Sequence, residues 1–107
     1  MVSSVIAAAQ ENGNAKVIGV DVDQSSESNT VITSATKGLR EGTMFALAKF
    51  FDGKWDELSD KAINLGAADS AVGLPTDTWS MKNFTIDQYK AMVKDVFNKN
   101  IRIVFVC

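Results

Sequence analysis

Histidine is missing from this chain altogether. Its absence removes the side chain most used as a general base near neutral pH and the commonest transition-metal ligand. Cysteine occurs once, as Cys107, the last residue. One thiol makes neither an internal disulfide nor a zinc site, and at that position it reads as incidental rather than as a buried nucleophile. The redox compartment is therefore left open. Proline also occurs once, at Pro75, and there is no internal repeat and no low-complexity stretch. No apolar run approaches the ~20 residues of a membrane span. The opening segment, Met1-Val2-Ser3-Ser4-Val5-Ile6-Ala7-Ala8-Ala9-Gln10, is apolar but has no basic start, so it reads as a helix and not as a signal peptide. Basic residues are not in excess: 11 Lys and Arg face 13 Asp and Glu, a net charge of −2. Without a basic block, nucleic-acid binding through phosphates has no support.

What is present is a small globular chain. Its 107 residues, 46% of them hydrophobic, suit one domain with a core and argue against disorder. Val2, Val5, Ile6 and Ala9 fall at helical spacing, and Gly13 follows as a terminator, which predicts a helix over Ser3 to Asn12. Lys16 to Val20 reads as a short strand, buried on both faces if parallel. Asp21 to Asn29 is a polar loop and Val31 to Ser34 a short extended piece. A second helix is expected from Ala35 to Phe51, with Met44, Leu47, Ala48 and Phe51 as its apolar stripe, and Asp52-Gly53 stops it. Gly38 and Gly42 within it point to close packing or a bend. Lys61 to Gly66 alternates as a strand does, and Ala71 to Pro75 is a further extended piece. Thr85 and Gln88 predict a capping box, with Phe84 stapled onto Tyr89, at the start of a last helix carrying Ile86, Tyr89, Val93, Val96 and Phe97. Ile101 to Val106 reads as a final strand. Alternation of helices and strands makes the fold class α/β, and a start on a helix hints that something N-terminal is missing.

The chemistry gathers at the end of the first strand. Lys16-Val17-Ile18-Gly19-Val20 runs into Asp21-Val22-Asp23-Gln24, so two carboxylates stand one residue apart where open α/β sheets bind ligands. Three readings are open. Asp21 and Asp23, with Gln24 and Ser25, could simply order a loop by accepting backbone N–H groups. They could be the nucleophile and general acid of a magnesium-dependent phosphotransferase or phosphatase of the haloacid-dehalogenase kind, with Thr33 or Ser34 as second motif and Lys37 as cation. No later acidic pair completes a magnesium site, which weighs against that chemistry. Or one carboxylate could grip two vicinal hydroxyls of a sugar, each charge-assisted bond being worth about 1.5–3 kcal/mol, with Lys37 donating nearby. A lysine at a helix start is disfavoured by the helix dipole, which favours a functional role for it.

Val17-Ile18-Gly19-Val20-Asp21-Val22-Asp23-Gln24 followed by Val31-Ile32-Thr33-Ser34-Ala35-Thr36-Lys37 closely resembles the C-terminal part of the basic membrane protein family, nucleoside-binding lipoproteins that serve ABC importers as substrate-binding components. Asn64-Leu65-Gly66, Ala71-Val72-Gly73-Leu74 and Asn83-Phe84-Thr85-Ile86 extend the resemblance over nearly the whole chain, more weakly. It implies a partial type I periplasmic-binding-protein fold, a parallel sheet flanked by helices, of which only the C-terminal portion is present. Residues 1–62 would belong to the C-terminal lobe, and residues 63–107 would supply a crossing segment and the closing helix of the other lobe. The resemblance assigns Asp21 to the ribose hydroxyls and Lys37 to the ribose side, with Asp23 and Gln24 ordering the loop beside them. It implies a purine or pyrimidine nucleoside as ligand, an ABC permease as partner, an extracytoplasmic lipoprotein as parent, no enzymatic activity, and neither metal nor cofactor.

The chain departs from that family in length: the signal peptide, the lipid-bearing cysteine and the first lobe, with most of the base-stacking aromatics, have no counterpart here. Phe45, Phe50, Phe51, Trp55 and Trp79 are not obvious substitutes. Apolar faces covered in a full-length relative would be left in water, each large side chain forfeiting about 1.5–3 kcal/mol, and the apolar last strand would be an open edge. Self-association, by a homo-oligomer or an exchange of elements between copies, is therefore expected.

Overall fold

Val2, Ile6 and Ala9 recur on one side of a helical segment, and in the computed structural model, which describes residues 2–102 and 104, that side carries the core. Helix α1 (Val2–Asn12) sets Ile6 and Ala9 against Val17 and Val31, with Val2 and Ala15 packed around them. Gly13 ends the helix at φ 76°, a left-handed conformation that glycine adopts without steric cost, and its N–H donates back to Ala9 and Gln10.

Strand β1 (Val17–Asp21) and strand β2 (Val31–Lys37) run parallel, Gly19 beside Ser34 and Asp21 beside Thr36 in register. Val72–Gly73 is a further, two-residue strand, β3. Helices α2 (Leu39–Phe51) and α3 (Ile86–Phe97) complete a small α/β chain, and this parallel pair with its helices is consistent with a partial periplasmic-binding-protein-like fold.

The chain divides into two compact units, Met1–Thr36 with Leu74–Cys107, and Lys37–Gly73. In the first, α1 covers one side of β1. The other side is open: Ile18 is 64% and Val20 45% exposed, so β1 is not buried on both faces as its β-branched run suggested. The 22–30 loop is tied to α1 by Gln10, whose Nε2 donates 2.9 Å to the buried Ser28 hydroxyl. Thr85 and Gln88 form the expected capping box at the start of α3, with N–H to side-chain distances of 2.8 and 3.2 Å. The residue that organises this corner is Trp79. Its ring lies 5.8 Å from Phe84 and 5.5 Å from Tyr89, and its indole N–H donates 2.8 Å to the Phe84 carbonyl. Tyr89 in turn accepts from the Leu74 N–H at 2.8 Å. Ile86, Tyr89, Val93 and Val96 are half-buried along α3, whereas Phe97 is exposed.

In the second unit, α2 starts four residues later than the sequence predicts, because Ala35, Thr36 and Lys37 continue β2. Its half-buried positions are Glu41, Gly42, Phe45, Ala46 and Lys49. The expected stripe faces solvent instead, Met44 at 56% and Phe51 at 79% exposure. Gly38 precedes the helix, and its N–H donates 2.7 Å to the Ala71 carbonyl. A Cβ there would stand 2.6 Å from the Ser70 carbonyl oxygen, so the close packing foreseen at this glycine is real. Gly53 closes α2 at φ 70°. A 3-10 turn over Trp55–Glu57 follows, with Trp55 edge-on to Phe50 at 5.9 Å and Glu57 paired with Lys49. Lys61 to Gly66 forms no strand and leads instead into a 3-10 turn over Ala67–Asp69. Of the expected last strand, Ile101, Arg102 and Val104 are described and are not in a strand; the rest of it and Cys107 lie outside the described residues.

Candidate functional site

Asp21 closes β1 in the first unit, and Lys37 closes β2 and opens the second unit, each at the carboxyl end of its strand. That is where an open α/β sheet offers ligand positions. Both side chains are exposed. Lys37 borders a groove of about 480 Å³ in the second unit, together with Gly38, Asn64, Leu65 and Val72. Lys37 ends β2 and immediately precedes Gly38, the N-cap of α2, so it lies just outside the helix start and not within it.

The backbone at Asp21 is unusual. Its φ is 72°, and the Val22 N–H donates 2.9 Å to the Val20 carbonyl, which closes a three-residue γ-turn over Asp21. A non-glycine residue there stores about 1–3 kcal/mol of strain, and such strain clusters at ligand sites. The turn lifts the Asp21 side chain out of the strand alternation at the point where β1 ends.

Gln24 anchors the chain just beyond. It is 8% exposed. Its Oε1 accepts from the Val20 N–H at 2.9 Å, its Nε2 donates to Glu27 Oε1 at 3.0 Å, and its own N–H donates 3.0 Å to the hydroxyl of Ser34. Ser34 is fully buried at 0% exposure, so its hydroxyl is committed to the loop and does not face a ligand at the strand end. Gly19 provides the room: a Cβ on it would meet Ser34 Oγ at 2.5 Å and Gln24 Oε1 at 2.7 Å.

Asp23 is held by two donors. Its Oδ1 accepts from the Ser25 N–H at 3.0 Å and its Oδ2 from the Thr78 hydroxyl at 2.6 Å. Those donors, Thr78 first, hold the Asp23 carboxyl below its ordinary value of 3.8. The two aspartates thus have different surroundings, Asp21 in a strained turn and Asp23 bound to Ser25 and Thr78. Among the described residues, no group of three or more acidic, His or Cys side chains gathers as a metal site would require. Ser34, Gly19 and Thr78 are the members that sequence reasoning missed as parts of the loop's support. Only Gly19 carried a signal, since a glycine inside a strand marks a close approach.

A parallel strand pair flanked by helices is the architecture of an open α/β protein, which offers ligand positions at the carboxyl ends of its strands. The chain belongs to the ABC transporter substrate-binding protein PnrA-like family, Bmp, whose model matches residues 1–104. It is a family of extracytoplasmic components that bind a solute for a membrane permease. No curated protein and no solved structure matches the chain. No helix among the described residues is long and apolar enough to cross a membrane.

Proposed function

We propose that this chain carries part of a nucleoside-binding cleft for ABC import, with Asp21 accepting hydrogen bonds from the ribose hydroxyls and Lys37 donating on the ribose side. The observation that carries this reading is the left-handed γ-turn at Asp21, which presents an exposed carboxylate at the end of β1. A carboxylate has acceptor sites on both oxygens and suits two adjacent hydroxyls. Asp23 and Gln24, on this reading, order the loop, and Asp21 is the group that meets the ligand. On this reading residues 1–62 are part of one lobe, residues 63–107 supply a crossing segment and the closing helix of the other, and the parent protein is held at the membrane as a lipoprotein.

Titration calorimetry with inosine tests it. Binding should fall at least ~10-fold in Asp21→Asn, since one charge-assisted bond is worth about 1.5–3 kcal/mol. It should fall similarly when 2′,3′-dideoxyinosine replaces inosine. Equal affinity for the two ligands would overturn the reading. So would magnesium-dependent hydrolysis of a phosphate monoester that Asp21→Asn abolishes, because that outcome belongs to a phosphotransferase.

Self-association is part of the same proposal. Ile18, Val20 and Val22 in the first unit, and Leu39, Met44, Leu47, Phe50 and Phe51 in the second, are exposed apolar side chains. Surfaces of this kind favour burial against another chain. Sedimentation velocity across micromolar concentrations should show the average mass rising with concentration; one unchanging monomer would exclude it.

A further inference from the structure

The geometry points to Gln24 as the positioning residue for the Asp21 carboxylate, acting through a lock formed with Ser34 in the space left by Gly19. This inference rests on the reading of Asp21 as the group that meets the ligand. The segment from Val20 to Gln24 is pinned at both ends. At one end the Val20 N–H is held by Gln24 Oε1 at 2.9 Å; at the other the Gln24 N–H is held by Ser34 Oγ at 3.0 Å. Gly19 and Ser34 are partners in register, so the lock is seated on the β1–β2 pair itself. Between the two pins the chain turns back on itself, with the Val22 N–H on the Val20 carbonyl and Asp21 at φ 72°.

A left-handed aspartate is not a low-energy choice for an isolated chain, so something must over-determine it. Gln24 does so with every polar atom of its side chain engaged, the Nε2 reaching Glu27 Oε1 at 3.0 Å. Its burial makes the lock costly to open, since a buried amide released from its partners loses about 1–3 kcal/mol. Gln24 need not touch a ligand. It fixes the direction in which the Asp21 carboxylate leaves the strand.

The test reads conformation and binding separately. A positive φ brings a residue's own amide and α protons together, so in the full chain Asp21 should give a strong intraresidue amide–α nuclear Overhauser effect. In Gln24→Ala that signal should weaken to the level of neighbouring residues, while the α1 signals stay unchanged. Pairing Gln24→Glu with Glu27→Gln keeps an acceptor for Val20 and restores the side-chain pair with donor and acceptor exchanged; it should recover the signal. By calorimetry, Gln24→Ala should lower inosine affinity about tenfold or more, equivalent to ~1.4 kcal/mol. In an Asp21→Asn background the same change should cost nothing further. An unchanged Asp21 signal in Gln24→Ala overturns the inference. So does an affinity loss that persists in the Asp21→Asn background. If the unaltered chain binds no inosine, the nucleoside reading fails, and the Asp21 signal alone then decides whether Gln24 sets the turn.

Discussion

Thr78 donates its hydroxyl to the Asp23 carboxylate across 2.6 Å, joining two residues 55 positions apart. Two residues on, the Ser80 hydroxyl donates 2.7 Å to the Ile32 carbonyl. The 78–80 segment is therefore strapped at two points to the loop and strand that follow β1. The Asp23 carboxyl is held low chiefly by Thr78, so the bond contributes stability above the unfolded carboxyl value and loses it as the pH falls through the lower folded value. Carbon-13 titration of Asp23 should show its midpoint rising in Thr78→Val. An identical midpoint in that variant would mean that Thr78 does not set the carboxyl's titration.

Gly19→Ala should destabilise the first unit. A methyl group would stand 2.5 Å from Ser34 Oγ and 2.7 Å from Gln24 Oε1, the first committed to a buried and the second to a part-buried hydrogen bond. Overpacking of this kind costs about 1–3 kcal/mol. Urea unfolding should show it as a lower midpoint, and a midpoint unchanged within error would contradict the crowding.

Asp21→Gly should separate stability from binding. Glycine takes φ 72° freely, so it relieves about 1–3 kcal/mol of strain while costing ~0.5–1 kcal/mol of chain entropy. The net expectation is a chain as stable as before or slightly more so, with inosine binding lost. A clear fall in the unfolding free energy would show that the Asp21 side chain supports the fold more than its turn strains it.

Thr85→Ala should remove the N-terminal cap of α3. The Gln88 N–H loses its acceptor at 3.2 Å, and caps of this type are worth about 0.5–2 kcal/mol. Thermal unfolding should register the loss, and Thr85→Ser should recover most of it. A serine variant no better than alanine would refute the cap.

What the sequence made legible was local. The capping box needs only Thr85 and Gln88, three residues apart, and the structure holds it as written. Gly13 and Gly53 end their helices for a reason carried by glycine alone. The errors came where partners are distant. Ala35-Thr36-Lys37 has residues that a helix accepts, yet pairing with Val20 and Asp21 of β1 keeps it extended. Met44 and Phe51 share a stripe by spacing, but spacing does not say which face of α2 is covered. The left-handed turn at Asp21 has no signature of its own, because Gln24 and Ser34 impose it from outside the motif's first five residues. Position at a strand end was readable; conformation there was not.

Each unit contains one tryptophan, Trp55 against Phe50 in the second and Trp79 between Phe84 and Tyr89 in the first. That distribution gives the chain two built-in optical probes with separate addresses. Replacing either indole by phenylalanine leaves a single indole, which can be excited to the red of Tyr89's absorption, so the tryptophan fluorescence of the two chains can be followed side by side in denaturant. Coincident transitions would describe one cooperative body, and separated ones would assign a melting order to the two halves without any added label.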